Sequence, residues 1–441
     1  MSSQSRGADR QGLQLLEADL YPPLTAREAA VEAERCYFCF DAPCTTACPT
    51  DIDIPLFIRQ ISAGNASGAA RTIFRDNILG GMCARDCPTE TLCEQDCVRH
   101  APDDQPVRIG ALQRYATDVL MDAGIQPQQR AAETGHRVAV VGAGPAGLAC
   151  AHRLASYGHS VALYDAGEKP GGLNEYGIAT YKTANDFAQR EVEYVLGIGG
   201  IDLQSGVRLG RDISLTQLLE KFEAVFLGIG LGDVNRLESI NGTDLDGVAD
   251  AVSFISDLRQ ASNYASVDAG DHVVVIGGGM TAIDAAVQSR LLGATTVTLA
   301  YRGEFDQMKA SPKERKLAQT QGVSIRTGLQ PVEVVAASDG SLAGVRFKDA
   351  AGGDDITLSA DRVLLAIGQT LESDSDQTLF TTDTGTLDLR QGRIAVDAER
   401  RSSHAAVWAG GDCIGNGTDL TVAAVQDGKL AAESMHAALV G

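Results

Sequence analysis

Residues 138–165, VAVVGAGPAGLACAHRLASYGHSVALYD, constrain the fold more than any other part of the chain. Small and β-branched apolar residues open the stretch, as in a strand buried on both faces. Gly142, Gly144 and Gly147 then form G-x-G-x-x-G, with Pro145 and Ala146 between the last two. A helical run leads to a second strand, 160–164, which Asp165 closes. In such a unit the first glycine permits a tight turn and the second admits a pyrophosphate against the backbone. The third lets helix and strand pack closely, and a terminal acid meets a ribose hydroxyl. The helix N-terminus adds free N–H groups and the positive end of its dipole. The combination points to a dinucleotide site; a glycine-rich turn without a ligand is the bland alternative.

The pattern occurs twice. HVVVI leads into Gly277-Gly278-Gly279-Met280-Thr281-Ala282, a helix and the strand TVTLA. This second strand ends in Ala300 where the first unit has Asp165, with Arg302 and Glu304 just beyond. Short strands are expected within 199–209, 224–232, 324–326, 332–336 and 344–348. RVLLAIG, 362–368, is expected to return the chain to the first domain. Near the end, VWAGG runs into Asp412 ahead of a helix over 420–439. An acid placed there suits a ribityl hydroxyl, with the helix N-terminus facing the electron-rich end of a flavin. Pro170-Gly171-Gly172-Leu173 is a turn able to lay its backbone along a flavin edge. The order is one dinucleotide domain interrupted by another, an arrangement suited to hydride transfer between nicotinamide and flavin.

Upstream lies the densest feature, Cys36-x-x-Cys39-x4-Cys44-x3-Cys48-Pro49, followed by Cys83-x3-Cys87-Pro88-x4-Cys93-x3-Cys97. C-x-x-C with further cysteines nearby and a closing Cys-Pro is how thiolates wrap iron–sulfur clusters, and two groups of four supply two [4Fe–4S] clusters. Structural zinc uses the same thiolates but needs no second group at this density. A redox dithiol leaves six of these cysteines unexplained. Cys150 and Cys413 read as packed small residues. Residues 1–11 read as a disordered tail, and Thr25 caps a helix beginning AREAAVEAER. A polar linker, 126–135, marks a first boundary.

With 58 acidic and 37 basic residues the net charge is −21, and no basic block is present. That argues against nucleic acid or an anionic membrane as partner. No apolar run approaches a membrane span and the first ten residues are polar, so a cytoplasmic protein is expected. Reducing surroundings also disfavour a disulfide framework for the cysteines.

VAVVGAGPAGL, GGGMTAIDAA, VWAGGD, CARDCPTETLC and IGALQRYATD together resemble the NAD-binding small-subunit family of bacterial dihydropyrimidine dehydrogenase. The same architecture occurs in the N-terminal part of the animal enzyme and in the glutamate synthase small subunit. The resemblance runs from about Leu24 to the end. It implies an α/β chain: an N-terminal helical iron–sulfur domain followed by two nested Rossmann-like domains. The expected bounds are 1–130 for the clusters, 131–245 with 363–441 for FAD, and 246–362 for NAD(P).

The resemblance also implies that the cysteine groups swap ligands. Cys36, Cys39, Cys44 and Cys97 would bind the first cluster. Cys48, Cys87 and Cys93 would bind the second, with Gln113 as fourth ligand and Cys83 left out. The FAD set takes in Gly142, Gly144, Pro145, Ala146, Gly147, Asp165, Gly172, Leu173, Val207, Gly230, Gly411, Asp412 and Thr421. The nicotinamide set is Gly277, Gly278, Gly279, Met280, Thr281 and Arg302. One segment departs from the family: many relatives carry G-I-P-x-F-R-L-P where this chain has Gly177-Ile178-Ala179-Thr180-Tyr181-Lys182.

The expected function is an electron-input subunit. NADH is expected to reduce FAD and two [4Fe–4S] clusters to pass electrons to a partner, which the resemblance implies is an FMN-containing catalytic subunit that reduces uracil or thymine. Every stretch is already used by clusters, flavin or nicotinamide, so no pyrimidine-binding barrel remains and a hetero-oligomer is expected. NADPH remains open, because Arg302 suits a 2′-phosphate, but Glu304 so close disfavours one. The alternatives are a glutamate synthase small subunit, a related electron-transfer subunit, and a non-catalytic iron–sulfur sensor. A thioredoxin-type reductase needs a C-x-x-C inside its nucleotide domain, whereas Cys36 and Cys39 lie upstream of both.

Overall fold

Thr25 shows how local chemistry starts the elements. Its side chain accepts from Glu28 N–H while the Glu28 carboxylate accepts from Thr25 N–H at 2.8 Å, a capping box that opens helix Ala26–Ala33. Such a cap contributes about 1 kcal/mol. Asp53 and Asn65 likewise cap helices Ile54–Ser62 and Ala66–Asp76. The apolar faces of these helices and of Ile109–Asp122 bury Phe57, Ile58, Ile73, Phe74 and Leu112. The structure is a computed structural model and describes residues 10–441 except 238–239, 351, 372–377 and 416. Most of the expected N-terminal tail therefore lies outside the described residues; its last two positions, Arg10 and Gln11, open a helix, Arg10–Glu17.

The chain divides into two compact units. One comprises Tyr21–Glu175, Asp186–Asp233 and Thr370–Gly441. It holds the cysteine-bearing helices and a five-stranded parallel sheet ordered Val407–Ala409, Ala224–Leu227, Arg137–Val141, Ser160–Asp165, Ile201–Ser205. Helix Pro145–Ser156 crosses over between the second pair, as a right-handed β-α-β unit demands. Helix Thr421–Val440 packs along it. They meet at Gly428, where any Cβ would overlap the Ala146 carbonyl oxygen.

The other unit comprises 10–20, Tyr176–Asn185 and Val234–Gln369. Its five parallel strands are ordered Val248–Asp250, Arg362–Ala366, His272–Gly277, Thr296–Ala300, Ser324–Arg326. A three-stranded antiparallel sheet follows: Leu329–Ala336, Leu342–Asp349, Ile356–Ser359. Two sequence expectations are corrected here. Arg362–Ala366 does not rejoin the first sheet; it pairs in parallel with His272–Gly277, burying Val363 and Leu364 completely. Helix Arg10–Glu17 packs not with the cysteine helices but on helix Met280–Leu291, with Leu16 fully buried. The short strand Ile356–Ser359 was not anticipated, its four residues being too few to show a period.

Candidate cofactor sites

The first glycine turn is built as its spacing requires. Gly142 has φ +96°, and a Cβ there would overlap the Gly228 carbonyl oxygen. A Cβ on Gly147 would overlap the carbonyl oxygen of Gly142. Gly144 is different: its Cβ would meet only Gly172 Cα, at 3.8 Å, so the space in front of it is open. Gly144 is also the N-cap of helix Pro145–Ser156, whose first N–H groups receive no side-chain cap. An open, uncapped turn of this kind fits a pyrophosphate. Asp165 stabilises the turn directly. Its Oδ2 accepts from Ala143 N–H at 2.6 Å and its Oδ1 from Gly167 N–H at 2.7 Å. Burial raises its pKa against those two bonds.

The remaining flavin candidates gather around this turn. Gly171 N–H donates to the Ala143 carbonyl at 2.8 Å, which brings Gly172 (φ +55°) backbone to backbone with Gly144. Leu173, beside it, is over a third exposed. Val207 N–H donates to the Asp165 carbonyl at 2.9 Å. Gly230 (φ +62°) faces open space. Gly411 (φ +75°) lies against Ala146 and donates to Asp427 Oδ2 at 2.9 Å. Burial, with repulsion from Asp419, pushes the Asp412 carboxyl up to about 6. Thr421 opens helix Thr421–Val440 and donates its hydroxyl to Asn174 Oδ1 at 2.9 Å. Asn174 and Asp427, both buried, were not singled out from the sequence: their partners lie far along the chain.

The second glycine turn repeats the design. A Cβ on Gly277 would overlap the Ala366 carbonyl oxygen, and one on Gly278 would lie 2.5 Å from the Tyr301 ring. Gly279, N-cap of helix Met280–Leu291, has nothing within 4 Å and supplies no side-chain cap. Met280 and Thr281 form the first turn of that helix. At the far strand end Arg302 is exposed, without a hydrogen-bond or ion-pair partner among the described residues. Glu304 is already engaged: its carboxylate caps the turn Phe305–Gln307, and its N–H donates to Gln307 Oε1 at 3.1 Å. A second arginine, Arg326, stands in register with Ala300 on the adjacent strand, a proximity invisible in linear spacing.

All ten cysteines are free thiols. Cys36, Cys39, Cys44 and Cys97 line one apolar cavity with Pro43, Ile54, Ile58 and Val107. Burial raises the thiol of Cys36 and pushes that of Cys44 up to about 12, so four thiolates here need a cationic centre as counter-charge. The thiols surround the cavity rather than converge on a point. Among the described residues no three His, Cys, Asp or Glu side chains close in far enough for a single metal ion. Cys93 faces Cys48 and is raised by burial; Cys87 is raised first by a hydrogen bond with Cys83. Cys83, expected to stand apart, is thus the immediate neighbour of Cys87. Gln113 is buried, donates its Nε2 to the Gly80 carbonyl at 2.7 Å, and leaves its Oε1 without a donor among the described residues. Asn77, fully buried three residues before helix Gly80–Asp86, has both side-chain amide atoms unpartnered among the described residues. Cys150 and Cys413 are packed, the latter against the carbonyls of Leu227 and Gly410.

Two dinucleotide turns on parallel sheets, in a chain with two clusters of free thiols, define a pyridine-nucleotide oxidoreductase that carries iron–sulfur centres. The dihydropyrimidine dehydrogenase domain II, 4Fe-4S cluster family matches residues 16–125, and the pyridine nucleotide-disulphide oxidoreductase family matches 136–428. The NAD-dependent dihydropyrimidine dehydrogenase subunit PreT of Escherichia coli O157:H7 is 35% identical over 96% of this chain and 97% of its own. The glutamate synthase [NADPH] small chain of Escherichia coli K12 is 31% identical over 95% of this chain and 93% of its own. In fold, the chain is similar to the thioredoxin reductase of T. acidophilum, with a TM-score of 0.54 and 20% identity over 69% of this chain and 98% of that one. The chain belongs to the pyridine nucleotide-disulphide oxidoreductase family, in the group that includes the dihydropyrimidine dehydrogenase subunits and glutamate synthase small chains. It is an NAD-dependent oxidoreductase subunit using FAD, NAD(P)H and iron–sulfur clusters. No helix among the described residues is long and apolar enough to cross a membrane.

Proposed function

We propose that this chain is the electron-input subunit of a dihydropyrimidine dehydrogenase. It oxidises NADH at FAD and feeds an FMN-containing partner that reduces uracil or thymine to the 5,6-dihydro form. The observation that carries the reading is the match to PreT over nearly the full length of both chains. When bound, FAD supplies hydride acceptance and two [4Fe–4S] clusters supply one-electron carriage.

The chain's own residues do the positioning. Gly144, Ala146 and Gly147 would present their backbone to the FAD pyrophosphate, Gly142 and Pro145 shape the turn and start its helix, and Asp165 holds that turn in place. Gly172, Leu173, Val207 and Gly230 border the flavin, while Gly411, Asp412 and Thr421 bind its ribityl chain and ring. Gly277, Gly278, Gly279, Met280 and Thr281 hold the second pyrophosphate, with Arg302 at the adenosine end. Cys36, Cys39, Cys44 and Cys97 ligate the first cluster; Cys48, Cys87, Cys93 and Gln113 ligate the second. The layout follows: a helical cluster domain, a flavin domain in two pieces, and a nicotinamide domain between them extended to include Arg362–Ala366.

The exit face supports a partner. Tyr37 and Val98 line the first thiol cavity and are 59% and 40% exposed, and Phe40 beside Cys39 is wholly exposed. Apolar groups of this size standing open mark a docking surface. The test is co-purification with the FMN-containing product of a neighbouring gene, then assay of NADH with uracil. The chain alone should reduce an artificial dye and leave uracil untouched. Uracil reduction by the single chain would overturn the division of labour. The match to the glutamate synthase small chain supports a second reading, in which the partner is an amidotransferase and glutamate is the product.

A further inference from the structure

Helix Gly80–Asp86 starts without a side-chain cap of its own. The acceptor comes from helix Phe187–Leu196, where Glu191 Oε1 accepts the Met82 N–H at 2.9 Å. The Gly81 N–H also acts on the same carboxyl, lowering its pKa. Glu191 is only 1% exposed. The fit depends on glycine, because a Cβ at Gly81 would lie 2.8 Å from Glu191 Oε1 and 2.6 Å from the Phe187 ring. From the other side Gln113 Nε2 holds the Gly80 carbonyl at 2.7 Å. The first turn is therefore gripped twice, and the helix it starts carries Cys83 and ends at Cys87.

The charges around Glu191 are largely matched elsewhere. Arg85, on the gripped helix, lies over the Phe187 ring at 3.4 Å, but its Nη2 donates to both oxygens of Asp118 at 2.9 Å. Arg114, beside Asp118 on helix Ile109–Asp122, pairs with the same carboxylate at 3.4 Å. Arg190, on Glu191's own helix, pairs with Asp122 at 2.6 Å. Among the described residues the Met82 N–H remains the hydrogen-bond partner of Glu191, with the Gly81 N–H acting beside it. Burial pushes its carboxyl up to about 8, against the pull of those N–H groups and of Arg85; Asp118 adds to the rise.

We propose that Glu191 is a positioning residue for the second iron–sulfur centre: it seats the helix that ends at Cys87, and it takes up a proton when that centre gains an electron. The proposal rests on the assignment of Cys87 to that centre. The electron comes from NADH by way of the flavin and the proton from water. Glu191 passes from carboxylate to carboxylic acid, and no bond to the centre forms or breaks. The negative charge of ionised Glu191 disfavours the added electron, so reduction and protonation assist one another above pH 8.

The experiment is redox titration of the intact chain, followed by electron paramagnetic resonance from pH 6 to 10, for wild type, Glu191→Gln and Glu191→Leu. In wild type one centre should become harder to reduce above pH 8 while the other does not. Glutamine keeps an acceptor for the N–H groups but cannot ionise. Glu191→Gln should therefore retain its iron and lose that pH dependence, making the centre tenfold easier to reduce at pH 10, or 59 mV for one electron. Glu191→Leu should lose the iron of that centre alone; if it does not fold, Glu191→Gln decides by itself. Identical titrations for wild type and Glu191→Gln at every pH would overturn the proton role, and a Glu191→Leu protein with both centres intact would overturn the seating role. Wild type without two iron–sulfur signals would instead defeat the cluster assignment on which both stand.

Discussion

Lys182 Nζ lies 2.8 Å from Asp284 Oδ1 with both side chains at most 5% exposed, and Glu314 Oε1 stands 2.8 Å from the same ammonium. Asp284 also receives the Tyr181 hydroxyl and the Ala179 N–H, each at 3.3 Å. This is the segment that departs from the family's proline-containing pattern. A proline at 179 would have no N–H to donate, so the departure itself supplies one of the bonds that hold Asp284.

Breaking this triad should destabilise the chain strongly. A buried pair that loses one partner costs about 3–5 kcal/mol, because the remaining charge stays in the low dielectric. Lys182→Met leaves two carboxylates facing each other, so it should lower the urea midpoint more than Asp284→Asn does. Equal losses would show that the two carboxylates do not share the ammonium.

The thiol cavity makes a distinct forecast. Cys36→Ser, Cys44→Ser and Cys97→Ser should each remove the same centre, seen as loss of about half the iron and of one paramagnetic signal. Cys83→Ser should keep both. If Cys97→Ser removed the centre shared by Cys87 and Cys93, ligation would follow the linear groups of four.

Asp412 links stability to pH. Its folded value of about 6 lies above the ordinary 3.8, so the folded chain holds this proton more tightly than the unfolded chain. The group therefore lowers stability above pH 6, and that penalty fades as pH falls from 6 toward 4. Asp412→Asn should stabilise the FAD-free protein at pH 8 by no more than about 3 kcal/mol and so raise its Tm. It should flatten the dependence between pH 4 and 6 and weaken FAD binding. A Tm at pH 8 that falls on substitution would refute the burial penalty.

The nucleotide preference is tested at Arg302 and Arg326. In dye reduction kcat/KM for NADH should exceed that for NADPH by tenfold or more, about 1.4 kcal/mol. A guanidinium stacked on adenine serves both nucleotides, so Arg302→Ala should lower the two values by similar factors. An NADPH preference abolished in Arg302→Ala/Arg326→Ala would reverse the assignment, with the two arginines forming a phosphate clamp.

What could be read from the chain was what is decided by near neighbours. The Thr25 capping box spans three residues, and the clash that demands glycine at 147 is with a carbonyl five residues earlier. Pairings across long separations were not legible. Val363 and Leu364 would suit the interior of either parallel sheet, and only tertiary packing decides that their neighbour is His272–Gly277. Arg326 meets Ala300 through strand register, and Glu191 meets Met82 from 109 residues away. The grouping of Cys97 with the first cysteines came from family likeness rather than from spacing, and these four thiols now line one cavity.

The order of the strands sets a timetable for synthesis. Every strand of the second sheet has been synthesised by Ala366, when the first sheet still lacks its edge strand Val407–Ala409. The helix that clamps Ala146 through Gly428 comes later still. The second unit thus acquires all its strands on a growing chain, while the glycine turn at 142–147, made long before, must wait for residues beyond 407. A ribosome that stops between codons 366 and 407 releases a chain whose second sheet has every strand and whose first does not.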